Sequence, residues 1–182
     1  MRSKQIKTLV LCAVLAALST VILSLGCFLE VFDMSAAMLA TLLIPVAVIE
    51  GGKVKGVLTY IVTVLLGFLI LPVKTPALIY ALSGYYPTLK AVVEKKIKKR
   101  ILAFFIKAIF FNLSLTVFLL SIRLFVPQFE IFPELELGKV LTYIITFAVG
   151  NAIFVLYDIL LTRVISFYLF NLRHRLGLDK NR

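Results

Sequence analysis

The 182 residues include no tryptophan, one histidine, two cysteines and only nine acidic side chains against twenty lysines and arginines. Each shortage excludes something. His174, the single histidine, lies in a basic tail with no carboxylate or cysteine arrangement around it, so neither His-based catalysis nor a metal centre is expected. Cys12 and Cys27 fall near opposite ends of one expected helix, about 22 Å apart at about 1.5 Å per residue, too far to bridge. No Gly-x-x-x-x-Gly-Lys-Ser/Thr loop occurs, and Gly51-Gly52-Lys53 lacks the backbone that wraps phosphate. There is also no Gly-x-Ser-x-Gly and no aspartate cluster suited to Mg²⁺. The expectation is a protein without catalytic residues or cofactor.

What is abundant is apolar surface. Hydrophobic residues make up 62% of the chain, charged ones 16%, and the mean hydropathy is +1.06. A soluble domain of this length needs far more polar surface, so the excess must face lipid. A helix crosses roughly 30 Å of hydrocarbon with about 20 apolar residues. The expected fold is therefore all-α: a polytopic membrane protein, one domain over 1–182, with six transmembrane helices at about 7–29, 34–49, 54–71, 76–93, 101–126 and 138–165. The first apolar run is long and lacks a small-residue cleavage site, and it reads as a retained span, not a signal peptide. Pro72 and Pro76 force a tight loop, and Ser83-Gly84-Tyr85-Tyr86-Pro87 predicts a kink in the fourth span. No internal repeat stands out.

Charge orients these spans. Lys90 to Arg100 holds six cationic side chains in eleven residues, and such loops stay in the cytoplasm. With both termini inside, only Lys74, Arg123 and Lys139 fall outside, whereas five of the nine acids do. Lys107 is expected to snorkel to the inner headgroups, and Asp158 to pair with Arg163 about a turn away. The net charge of +11 is spread over short loops and tails, which suits anionic lipid and not nucleic acid.

Polar residues inside the spans fall on faces. Tyr60, Thr63 and Gly67 share a stripe that ends at Lys74, Asn112 and Thr116 share one that ends at Arg123, and Tyr80 and Asn151 add to the set. One reading is interhelical glue. The other is an outward-facing site with Tyr80, Asn112 and Asn151 as floor, Thr116 beside them, and Lys74 and Arg123 as a rim suited to an anionic or carboxylate-bearing small molecule. In the first span Ala13, Ala16, Ala17 and Thr20 form a stripe with little side chain, fit either for packing within the bundle or for docking another membrane subunit.

The size, the six spans, the cytoplasmic ends and the Ala13-x-x-x-Ala17 pair resemble the substrate-binding S components of energy-coupling factor transporters. The region from Ala36 to Lys90, with Pro45, Gly51-Gly52 and Gly84-Tyr85-Tyr86-Pro87, is similar to small bacterial membrane proteins grouped with them. The resemblance implies a subunit of the bacterial cell membrane that captures a vitamin-like micronutrient from outside. It would dock through the first span, with Ala13 and Ala17 as contacts, on a transmembrane coupling subunit driven by two ATPase subunits. The loop between the first two spans is shorter than the lid of many members. A rival expectation is a non-transporting scaffold similar to the cell-shape protein MreD.

Overall fold

A computed structural model describes residues 2–29, 32–125 and 139–172. Among them every regular element is helical: α1 (Arg2–Phe28), α2 (Asp33–Thr41), α3 (Ile44–Gly51), α4 (Lys53–Ile70), α5 (Thr75–Ser83), α6 (Tyr86–Lys96), α7 (Arg100–Phe125) and α8 (Lys139–Phe167), the last followed by a π-helical turn, Tyr168–Leu172. Five segments are long and apolar enough to cross a membrane: Gln5–Phe28, Asp33–Gly51, Lys53–Ile70, Arg100–Leu120 and Leu141–Asn171. Helices are the expected solution, because backbone polar groups in hydrocarbon must be satisfied within their own segment. The fourth expected span is a pair of short helices, α5 and α6. The loop after α7, with Pro127, Glu130, Pro133, Glu134 and Glu136, and the basic tail from Arg173 lie outside the described residues.

Two prolines set the breaks. Pro45 is the second residue of α3 and Pro87 the second of α6. Proline donates no N–H to the carbonyl four residues back, and its ring clashes with that carbonyl, so a helix reaching it must interrupt. Those carbonyls belong to Thr41 and Ser83, the last residues of α2 and α5. In both, the side-chain hydroxyl turns back onto its own helix, Thr41 donating to Met38 O at 2.6 Å and Ser83 to Ile79 O at 2.7 Å.

The two breaks belong to a tandem repeat. Phe28 and Ile70 end α1 and α4, Asp33 and Thr75 begin α2 and α5, Thr41 and Ser83 end them, and Ile44 and Tyr86 begin α3 and α6, each pair 42 positions apart. Local hydrogen bonds recur at the same offset: Ala36 N to Phe32 O and Leu78 N to Lys74 O, then Ala47 N to Leu43 O and Leu89 N to Tyr85 O. Each repeat is one straight helix followed by a broken one. Each also joins its two parts at a glycine near the end of the straight helix. A Cβ on Gly26 would fall 2.3 Å from Ala36 Cβ, and one on Gly67 would fall 3.3 Å from Ala77 Cβ. Like packs on like, α1 on α4, α2 on α5 and α3 on α6.

The chain divides into two compact units, Met1–Lys96 with Leu161–Arg182, and Ile97–Leu160. The first holds both repeats around a core of Leu23, Cys27, Ala37, Ala40, Ile44, Leu71 and Tyr80, with a second cluster of Cys12, Leu15 and Ala47. Lys90, expected in a basic loop, is instead buried in α6, where it donates to Thr162 Oγ1 at 2.7 Å and lies 3.3 Å from Glu94. Its long stem lets an ammonium near the helix end find partners without leaving the protein. Of that basic stretch, Lys95, Lys96, Lys98, Lys99 and Arg100 remain exposed.

The second unit is α7 with α8 up to Leu160. Lys107 Nζ lies 3.0 and 2.9 Å from the two Asp158 carboxylate oxygens, across the helices. This corrects both sequence expectations: Lys107 is buried, and Asp158 is held by it while Arg163 is exposed. Desolvation explains the choice, since two charges inside an apolar pair of helices neutralise each other more cheaply than either reaches water alone. Toward the other end of the pair, Phe111 stacks on Phe154 at 4.7 Å between ring centroids.

Candidate functional site

Where α1, α2, α4 and α5 meet, the first unit buries hydroxyls amid aliphatic side chains. Ser19, Thr63 and Tyr80 are each 0% exposed. Ser19 donates to Ala40 O at 3.4 Å and Thr63 to Thr59 O at 2.9 Å. The Tyr80 phenol has the Thr63 and Ser19 hydroxyls as its hydrogen-bonding neighbours, outside good donor–acceptor geometry. A buried hydroxyl left wholly without a partner costs of the order of 1–3 kcal/mol, so the three stand together in the core.

Tyr60 makes the contrast. Its ring lies 6.1 Å from that of Tyr80, and its hydroxyl donates to Ala81 O at 2.5 Å. In an unbroken helix that carbonyl would receive the N–H of Tyr85, so Tyr60 satisfies an acceptor that the α5–α6 break releases. Gly84 is required there, because a Cβ would meet Tyr80 O at 2.8 Å and the Tyr60 ring at 2.9 Å. Thr88, one turn beyond the break, has a buried hydroxyl without a partner among the described residues.

No family model, curated protein or solved structure matches this chain. The site has to be read from its own geometry.

The residues expected from sequence divide between the two units. Tyr80 and Lys74 belong to the first; Asn112, Thr116, Arg123 and Asn151 belong to the second. Lys74 Nζ donates to Phe68 O at 2.8 Å and Leu71 O at 2.5 Å, so its charge caps the negative end of α4. Asn112 and Asn151 exchange two hydrogen bonds of 3.0 Å, and the second amide hydrogens go to Ala108 O and Phe147 O at 2.9 and 2.8 Å. All four amide N–H groups are thereby used. Thr116 is exposed and donates to Asn112 O at 2.9 Å. Arg123 stands in α7, with its side chain outside the described residues.

On α1, Ala13 and Ala17 are exposed, whereas Ala16 and Thr20 are buried, Thr20 donating to Ala16 O at 2.9 Å. Sequence spacing had placed Tyr60, Thr63 and Gly67 on one face, and Thr63 and Gly67 are buried while Tyr60 is half-buried. It had not singled out Ser19 or Thr88. The only signal for Ser19 was a hydroxyl one residue from the small stripe, and for Thr88 its place one residue after Pro87.

Proposed function

We propose that this chain is the substrate-capture subunit of an ATP-driven importer of a vitamin-like micronutrient, a six-span protein of the bacterial cell membrane with both ends in the cytoplasm. In this topology α5 and α6 together make the fourth span. The chain binds its small molecule from the outer side and works with a transmembrane coupling subunit and two ATPase subunits. The exposed lysines around Lys98 meet anionic headgroups of the inner leaflet.

One observation carries the reading: two broken helices, in corresponding positions of two repeats, pack on each other beside a cluster of buried hydroxyls, Ser19, Thr63 and Tyr80. Interrupted helices at a repeat interface are how transporters bring polar groups to mid-membrane without exposing backbone to lipid. The scaffold reading has its own support in the second unit, where the Asn112–Asn151 and Lys107–Asp158 pairs use their polar groups on each other, as interhelical glue does.

Isolation of the tagged chain from its own cell membrane in mild detergent separates the two. Capture expects a co-isolating ATPase pair together with a small molecule retained near one per chain. A scaffold yields neither.

A further inference from the structure

We infer that the last part of α8 is a releasable clasp across the two repeats, holding α3 and α6 together by a polar bond to each. Tyr168 Oη donates to Glu50 Oε1 at 3.2 Å, next to the end of α3, and Lys90 of α6 donates to Thr162 Oγ1 at 2.7 Å. α3 and α6 are the second parts of the two broken helices, and they pack on each other. The clasp thus spans corresponding parts of the two copies, and it does not depend on the capture reading.

The geometry of α8 fits this role. Thr162 and Tyr168 are six positions apart, which in a helix sets them about 120° apart around the axis and about 9 Å along it. Two flanks of one helix can then serve two neighbours. Leu161 and Tyr168, seven positions apart and so on one face, are buried, whereas Arg163, Phe167 and Phe170 are exposed. The α-helical winding ends at Phe167, and the π-helical turn begins at Tyr168, the residue that reaches Glu50. Wide turns of this kind are rare and recur at functional sites.

The repeat supplies an internal comparison. At the 42-residue offset Glu50 corresponds to Val92 and Lys90 to Val48, so each copy carries a charged group where the other has valine. The repeated backbone therefore does not demand them, and contact with α8 accounts for both. Both bonds can also let go without stranding a charge. Glu50 is half-buried and within reach of water, and Lys90 keeps the exposed Glu94 at 3.3 Å when Thr162 leaves. The first parts of the broken helices are held differently. Leu23, Cys27, Ala37, Ala40, Ile44, Leu71 and Tyr80 draw on both copies to make an apolar core, which gives way only by exposing its surface. Release of the clasp frees α3 and α6 while that core stays joined.

Hydrogen–deuterium exchange of the full chain in detergent, read by mass spectrometry, separates a clasp from two unrelated bonds. Tyr168→Phe removes the donor to Glu50 and Thr162→Val the acceptor for Lys90, each at nearly constant shape, and Thr146→Val is the control, since its hydroxyl bonds within its own helix at Thr142 O. A clasp makes either substitution speed exchange about fivefold in both α3 and α6, with residues 15–28 of α1 unchanged and Thr146→Val without effect. If each substitution loosens only the helix that it touches, the bonds are local and the inference falls. It falls equally if neither loosens α3 or α6, or if exchange rises alike throughout the first unit.

Discussion

Tyr60 and Tyr80 should respond unequally to the same substitution. Tyrosine to phenylalanine deletes one oxygen and keeps the ring, so packing in the core is nearly unchanged and the hydroxyl's own contribution is isolated. Tyr60 donates to Ala81 O, a carbonyl that the α5–α6 break leaves open. Losing a bond of this kind costs about 1 kcal/mol net. Tyr80 has the Ser19 and Thr63 hydroxyls beside it, outside good hydrogen-bond geometry, and its side chain is 0% exposed. Removing its hydroxyl sets a weak interaction against a desolvation penalty, each about 1 kcal/mol, and the two nearly cancel. For a chain of this length each kcal/mol moves the melting temperature by about 2–4 °C. Tyr80→Phe should therefore melt within about 2 °C of wild type, and Tyr60→Phe about 2–4 °C below it. The chain offers a reporter without further engineering, because both its cysteines, Cys12 at 4% and Cys27 at 6% exposure, are free and buried, so a thiol-reactive fluorogenic dye reads their release on unfolding. If Tyr80→Phe lowers the melting temperature as much as Tyr60→Phe does, the Tyr80 phenol is bonded as well as that of Tyr60, which refutes the contrast.

The remaining predictions concern packing. Asp158→Leu strips the partner from buried Lys107 and should cost about 3 kcal/mol, while Lys107→Met with Asp158→Leu should recover most of it, measured as a double-mutant cycle by the same dye melt. Gly26→Ala should destabilise by about 1–3 kcal/mol, since its new methyl meets Ala36 Cβ at 2.3 Å, and Gly67→Ala by less, its nearest neighbour being Ala77 at 3.3 Å; equal effects would contradict the tighter approach in the first repeat. Asn112→Leu with Asn151→Leu replaces a closed amide pair by an apolar one and should leave the bound molecule in place, at a stability cost of about 1–2 kcal/mol; loss of the molecule would return both asparagines to the site.

Long helices were legible in the sequence because an apolar run of bilayer length is a one-dimensional signal, and counting apolar residues gives its boundaries directly. The expected 54–71 and 101–126 correspond to Lys53–Ile70 and Arg100–Phe125 within a residue. Pro87 announced the break between α5 and α6 by its missing donor, and the same chemistry at Pro45 separates α2 from α3, where the sequence led only to a short span. Partners were not legible, because spacing fixes the face of a helix and not which helix that face meets. Asn112 and Asn151 could be assigned an inward direction without revealing that each is the other's partner, and Lys107 and Asp158 looked like interface charges until the two helices were set side by side. The repeat was hidden for a related reason. What recurs after 42 residues is backbone punctuation: helix end, half-helix, break, proline at the second position. The side chains hung on it diverge, as Met38 against Tyr80 and Ser19 against Ile61 do. A comparison of residue types sees little in common, whereas a comparison of breaks sees two copies. The divergence then becomes informative. Pro45 and Pro87, and the hydroxyls of Thr41 and Ser83 four residues before them, are kept in both copies because the interrupted helix needs them. Tyr80 and Thr63 occur in the second copy only and Ser19 in the first only, and the three hydroxyls stand together in the described core.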